Sequence, residues 1–485
     1  MNFSLDRKVL GAILIIEALL LLIPCGISFF LKEASFMPFL ISSLIALVSG
    51  VVFYMPKAKY SKFSIKDGLF IVTFGWILVS LIGAVPLYLS NSVETYIDAL
   101  FEIISGFTTT GSTVIPNVEG LTKGILFWRS FTHWIGGMGI LIFTLALLPA
   151  LGLGSFQIFR AESPGPDPGK ISPKVKDTAK ILYTTYFGLT FIMILFLLFG
   201  GMSLFESILY TFATVGTGGF ATKNASVGAY GSVYIQMVIG IFMVLSGINF
   251  SLHFALITGR LDEIKKNTEV RLYLKIVFLA TLFIALDIFF QSHYNFANAL
   301  RHAFFQVSSI MTTTGFASQD FDLWPSFSKI ILLLLMIIGG CAGSTAGGIK
   351  VTRLDTFFQV IKREITLTFH PNAVVPIKRD GKTIDDKAEV SVIAFLAVYT
   401  LALVLGILLI SLDGVSVETA ISSVFCTLGN VGPGLGGVGP TLTFLEYSPW
   451  AKLVFCVLML LGRLEIYTVI ALFAPNSLRR ETNKF

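Results

Sequence analysis

The sequence predicts an all-α polytopic membrane protein, built from four copies of a helix, half-helix, glycine loop, helix unit with two further helices in front. Composition, hydropathy and a recurring glycine carry that expectation. Of 485 residues, 54% are hydrophobic, only 13% are charged and 45 are phenylalanine, and the mean hydropathy is +0.82. In water so many phenylalanines would demand an implausibly large core, whereas in lipid they cover helix exteriors. Four short apolar segments recur at near-equal spacing: DALFEIISGFTTTG to Gly111, ESILYTFATVGTGG to Gly219, HAFFQVSSIMTTTG to Gly315 and TAISSVFCTLGNVG to Gly432. A crossing helix needs about 20 apolar residues. Segments of this size are too short to cross and too apolar for ordinary loops, so they read as helices that enter the membrane and turn back.

The elements follow in order. The opening MNFSLDRKVLGAILIIEALLLLIPCG resembles a secretory signal, but its apolar stretch is too long and no A-x-A site follows, so it reads as a retained first helix. Spans are expected over 8–31 and 37–55 in the leading pair, 67–89 and 123–151 in the first unit, 179–200 and 233–257 in the second, 271–291 and 326–357 in the third, and 389–411 and 448–474 in the fourth. The corresponding divisions are 1–62 for the leading pair, 63–160, 170–262, 263–365 and 389–485 for the four units, and 366–388 for a connection. That connection, within HPNAVVPIKRDGKTIDDKAE, is a hairpin or a helix with a turn and is too small to bind a nucleotide as a domain of its own. Each unit contains two crossings, so all four share one orientation and can close around an axis along the membrane normal. Inverted repeats would need an odd number of crossings.

The net charge of +6 raises the question of nucleic acid. Most Lys and Arg, however, fall in six places that alternate with acidic or neutral connections: the N-terminus to Lys8, 56–66, 152–180, 258–275, 350–388 and the tail after Pro475. This is the positive-inside pattern, and it implies a lipid partner, no nucleic acid, and both termini in the cytoplasm. Cys25, Cys341, Cys426 and Cys456 lie in apolar or loop segments without CxxC spacing or a nearby histidine, and read as reduced packing residues.

A cation leaving water loses a hydration shell that only closely placed oxygens replace, and backbone carbonyls supply them without added charge. Glycine lets the backbone approach the axis and take the positive φ that turns successive carbonyls inward. The residues expected to line an ion path are therefore Thr110 and Gly111, Gly218 and Gly219, Thr314 and Gly315, and Val431 and Gly432. The half-helices aim their negative dipole ends at mid-membrane, which favours a cation. Any one such loop is also explained as a packing turn at a helix end, but four in the same context are not. Gly216 and Gly218 compete with Gly219, and Gly429 with Gly432. The match of GFAT to GFAS decides the first register and the trailing GPGLG the second.

GGCAGSTAGGIK, residues 339–350, follows the third loop. So many glycines break a helix, and irregular backbone at that depth survives only inside protein or beside water. Gly343, Gly347, Gly348 and Lys350 are candidate gate residues, against the alternative of a close small-residue helix contact. Arg463 stands mid-helix near Glu465, either as a positive barrier below the loops or as half of an ion pair. His133 and Glu17 read as structural, the first hydrogen-bonded and the second packed against a polar neighbour.

The loops FTTTGST, VGTGGFAT, MTTTGFAS and GNVGPGLG, with HWIGGMG after the first and GGCAGSTAGGIK after the third, resemble the Trk/Ktr/HKT superfamily of potassium transporters. The resemblance covers essentially the whole chain. It implies four M1-pore helix-M2 repeats, potassium-channel-like, in a homodimer with one pore per subunit in the bacterial inner membrane. It also implies that the four glycines form the selectivity filter, that the segment Gly343 to Gly348 gates it with Arg463, and that a cytosolic TrkA-like nucleotide-binding regulatory subunit controls the gate. Sodium-preferring relatives carry serine at the first glycine, so Gly111 implies potassium as the bound and transported ion, with no enzymatic chemistry. The alternative is a sodium- or proton-coupled secondary potassium transporter with alternating access.

Overall fold

The computed structural model describes residues 3–55, 65–139, 175–291 and 294–473. The second half of the expected 123–151 span, the basic stretches at 56–64 and 152–174 and the tail from 474 lie outside the described residues, as does the 160/170 division.

The leading pair is α1 (Phe3–Phe30) and α2 (Phe36–Tyr54). The first unit follows as α3 (Ile65–Leu89), α4 (Tyr96–Phe107) and α5 (Lys123–Gly137), and the second as α6 (Val175–Phe199), α7 (Leu204–Val215), α8 (Val233–Ser246) and α9 (Phe250–Ile257). After a short α10 (Leu261–Lys266), the third unit has α11 (Thr268–Gln291), α12 (Phe296–Met311), α13 (Ser326–Ile337) and α14 (Val351–Phe369). Strands β1 (Lys378–Arg379) and β2 (Lys382–Thr383) lead to the fourth unit: α15 (Asp386–Ser411), α16 (Val417–Leu428), α17 (Pro449–Arg463) and α18 (Ile466–Phe473). The connection is thus a hairpin, with Asp380 and Gly381 at φ 51° and 81° in its turn, the Asp-Gly chemistry of a tight two-residue loop.

The four half-helices α4, α7, α12 and α16 form where expected, and each starts in the same way. Thr95, Ser203, Asn295 and Ser416 accept the backbone N–H three residues on, at Asp98, Glu206, Asn298 and Thr419. These N-caps satisfy amide groups that would otherwise be stranded at the helix start. Buried side chains form three clusters: α1 to α3 against α4 and α5, the helices of the second unit, and the third and fourth units together.

Among the described residues, α1, α2, α3, α6, α11 and α15 are long and apolar enough to cross a membrane unaided. The second helix of each unit is not, which corrects the continuous spans expected over 233–257, 326–357 and 448–474. The axes of α8 and α9 bend by 101°, residues 338–350 separate α13 from α14, and α17 stops before Glu465 at φ 58°. The cause is close approach of backbone to backbone beneath the half-helices. A methyl group on Gly136 would lie 1.9 Å from the Phe107 carbonyl oxygen, and one on Gly462 2.1 Å from that of Leu428. Hydropathy reports the composition of these stretches but not that neighbouring elements satisfy their freed backbone groups.

Candidate ion-conducting site

Each half-helix ends in one closure. The N–H groups of Thr110, Gly218, Thr314 and Val431 donate to the carbonyls of Ser105, Ala213, Ser309 and Cys426 at 2.8 to 2.9 Å, the six-to-one bond of a Schellman cap. The preceding residues Thr109, Thr217, Thr313 and Asn430 therefore sit in left-handed backbone, with φ of 54°, 56°, 55° and 55°. For a residue with a side chain this conformation costs about 1–2 kcal/mol. Such strain persists only where the surroundings over-determine it.

Two residues later the chain is left-handed again, at Gly111, Gly219, Gly315 and Gly432, with φ of 83°, 77°, 85° and 102°. A methyl group on Gly111 would lie 2.1 Å from the Gly218 carbonyl oxygen, on Gly219 2.0 Å from that of Thr314, on Gly315 2.1 Å from that of Val431, and on Gly432 2.6 Å from that of Thr110. The contacts run from the first loop to the second, third and fourth, and back to the first. All eight residues expected to line an ion path are thus brought into one closed ring in chain order. Gly216 and Gly429 are instead right-handed helix caps, at φ −72° and −74°, so Gly219 and Gly432 hold the equivalent places.

Side chains behind the ring fix it. The hydroxyls of Thr108 and Thr110 are 2.8 Å apart, as are those of Thr312 and Thr314. Asn430 Nδ2 donates to Thr110 Oγ1 at 3.0 Å and to the Met459 carbonyl at 2.9 Å. His133 stacks on Phe220 with ring centres 4.2 Å apart and accepts the Phe220 N–H on Nδ1 at 3.4 Å. It stands against Gly218, where a methyl group would meet its ring at 2.2 Å.

Two buried ion pairs anchor α4, and sequence reasoning missed both. Arg129 Nε donates to Glu102 Oε1 at 2.8 Å, and the same carboxylate accepts the Val114 N–H at 3.0 Å. The Arg129 guanidinium also lies 4.1 Å from the Phe220 ring centre, tying the first loop to the second. Lys452 of α17 reaches Asp98 at 2.6 Å. The available signal was Asp98 and Glu102 four residues apart, on one face of an otherwise apolar half-helix. Glu17 is buried, and neither of its carboxylate oxygens has a hydrogen-bond partner.

On one side of the ring opens a cavity of about 110 Å³, floored by Gly111, Gly219, Gly315 and Gly432. On the other side lies the irregular segment 338–350. Thr345 Oγ1 donates to the Val215 carbonyl at 3.1 Å, and the Gly347 N–H donates to Thr313 Oγ1 at 2.7 Å. A methyl group on Gly347 would lie 2.8 Å from the Gly429 carbonyl oxygen. The segment therefore seats directly beneath the second, third and fourth loops. Gly343 and Gly348 are left-handed, at φ 73° and 65°. Buried Lys350 turns back to donate to the Ala346 carbonyl at 2.5 Å.

Arg463 completes the enclosure from the first unit's side. Its guanidinium donates to the Thr345 carbonyl at 2.6 Å and to those of Gly136 and Gly137 at 2.5 and 2.9 Å. The two glycines are at the carbonyl end of α5, where a cation also complements the helix dipole. Glu465 pairs with Arg353.

A closed ring of inward-packed backbone above a tethered intramembrane segment is the arrangement against which relatives can be compared. The family described as TrkH, cation transport protein, matches residues 35–480. The Trk system potassium uptake protein TrkH of Escherichia coli (strain K12) is 37% identical over 481 residues, 98% of this chain and 99% of that protein. The chain belongs to the TrkH family. Another member, the Trk system potassium uptake protein TrkG of the same strain, is 35% identical over 468 residues, 96% of either chain. The crystal structure of the potassium transporter TrkH from Vibrio parahaemolyticus superposes with a TM-score of 0.88 at 34% identity, covering 99% of this chain and 100% of that one. As a TrkH family member the chain is a multi-pass membrane protein of potassium uptake, not an enzyme.

Proposed function

We propose that this chain carries potassium into the cell through the glycine ring, with the segment 338–350 as the gate beneath it. The observation that carries this reading is the cyclic contact of each ring glycine with the carbonyl before the next. It leaves the carbonyls of Thr110, Gly218, Thr314 and Val431 and the four glycines as the groups that replace a cation's hydration shell. Gly343, Gly347, Gly348, Lys350 and Arg463 belong to the gate: the glycines let the segment fold close under the ring, Lys350 holds its turn, and Arg463 fastens it to α5. An inside-negative potential favours entry by about 2.3 kcal/mol per charge per 100 mV.

In this reading the four units and the leading pair are the structural divisions expected from sequence. Both termini face the cytoplasm of a bacterium's inner membrane, so the hairpin β1–β2 is cytoplasmic, and a homodimer works with a TrkA-like nucleotide-binding partner. The test is potassium and sodium flux into liposomes containing the purified chain, with and without that partner, for wild type and Gly111→Ser. Potassium-selective flux that loses its preference in G111S is expected. Unchanged selectivity in G111S would remove the first loop from the filter.

A further inference from the structure

The segment 338–350 is held from a third direction that neither its glycines nor Arg463 explain. Glu269, the second residue of α11 and buried, directs Oε1 at two backbone groups, the N–H of Ala342 at 2.8 Å and the N–H of Thr352 at 3.0 Å. Ala342 lies within the segment and Thr352 in the first turn of α14, ten positions further on. Lys350, the residue at the start of α14, makes no side-chain cap, so the Glu269 oxygen is the acceptor that the first turn of α14 would otherwise lack. One atom therefore ties the interior of the segment to the first turn of α14.

The residue before Glu269 leads outward. Thr268 donates through its N–H and its hydroxyl to Asp380 Oδ1, at 2.8 and 3.2 Å. Asp380 sits exposed in the hairpin turn. The hairpin is itself fixed to α14, because Gln359 donates to the Lys378 carbonyl at 3.0 Å and accepts the Lys378 N–H at 2.9 Å. Hairpin, α11 start, Glu269, segment and α14 thus form a closed circuit of hydrogen bonds.

We propose that Glu269 is the positioning residue that latches the gate segment shut, and that the hairpin, through Asp380 and Thr268, is the handle by which a load on the cytoplasmic face releases it. The inference rests on the gated-pore reading above. A single oxygen that serves two donors makes release of both bonds one event. A displacement of α11's first turn withdraws both bonds together, whereas the ring, held by its own caps, is untouched.

The test uses the full-length chain in liposomes without any cytosolic partner. Glu269→Ala is expected to raise potassium flux roughly tenfold with the potassium-to-sodium ratio unchanged. Glu269→Gln keeps an oxygen acceptor and is expected to stay within about twofold of wild type, and Asp380→Ala to rise about threefold. A residue that merely supported the fold would lower flux in E269A instead. Wild-type flux in E269A, or equal leak in E269Q and E269A, overturns the latch. Should E269A fail to fold, D380A carries the test, and wild-type flux there overturns the handle. Hydrogen exchange reads the same bonds independently of transport: the amides of 341–352 are expected to exchange faster in D380A and E269A than in wild type, with the loop around Gly315 unchanged. Unaltered exchange overturns the proposal even if the wild-type chain passes no potassium, an outcome that would defeat the pore reading alone.

Discussion

The ring and the segment beneath it are both non-helical backbone at the heart of the molecule, yet they are held by different means. The ring is shaped chiefly by its own backbone, with side chains behind it. Each loop closes its own helix by a bond to a carbonyl five residues back, and each glycine seats on the neighbouring loop. The segment 338–350 has backbone bonds too, from Gly339 N–H to the Ile349 carbonyl at 2.6 Å and from Cys341 N–H to that of Gly247 at 2.9 Å, and side chains from three different helices or loops hold it as well: Glu269, Arg463 and Thr313. A structure determined by its own backbone, repeated four times, is rigid. One that occurs once and depends in part on side chains from elsewhere is loosened when those are removed. In the proposed reading the first is the filter and the second the gate.

The largest way to break this comparison is at the ring. Gly219→Ala places a methyl group 2.0 Å from the Thr314 carbonyl oxygen at a φ that L-residues avoid, so one loop must move by about an ångström. Potassium flux in liposomes is expected to fall roughly 100-fold. Flux within threefold of wild type would show that the loops do not pack as one ring.

The next largest effect probes what stands behind it. Arg129→Met leaves the buried Glu102 carboxylate without its cation, at an expected cost of about 3–5 kcal/mol. Thermal unfolding in detergent should reveal the loss, and the potassium-to-sodium ratio should fall with it, because Glu102 also holds the Val114 N–H beside the first loop. A destabilised protein with intact selectivity would separate the pair from the ring.

The two regions also differ in how far the sequence discloses them. The ring was legible because its requirement is local: a left-handed position demands glycine, and the pattern before Gly111, Gly219, Gly315 and Gly432 recurs. The half-helices were legible from length and apolar content, while the connection was narrowed only to a hairpin or a helix with a turn, a choice that Asp380-Gly381 could have decided. The breaks in the second helices were not, since Gly136 and Gly462 owe their role to carbonyls on other elements. Nor was the suspension of the segment. Glu269 lies 73 positions before Ala342, and Arg463 lies 327 after Gly136, and TEVRLYLK reads only as a charged helix start. Sequence spacing carries no information about such meetings until the fold supplies them.

The finest test turns on two threonines in equivalent places. Thr313 and Thr109 share a left-handed φ of 55° and 54°, and both are buried. The hydroxyl of Thr313 accepts the Gly347 N–H at 2.7 Å, while that of Thr109 has no hydrogen-bond partner. Valine matches threonine in shape and branching, so Thr→Val changes the hydroxyl alone. T313V strands a buried amide, at a cost of about 1–3 kcal/mol, and is expected to loosen the segment. Partner-free potassium flux should rise severalfold with selectivity kept. T109V removes an unpaired hydroxyl, so unfolding temperature, flux and selectivity are expected to stay at wild-type values, with stability within about 0.5 kcal/mol. Equal effects of the two would mean that the threonines serve the ring in common. Unequal effects in this order would place the contact between ring and gate at the third loop, where the fourfold pattern of backbone gives way to a bond that only one unit makes.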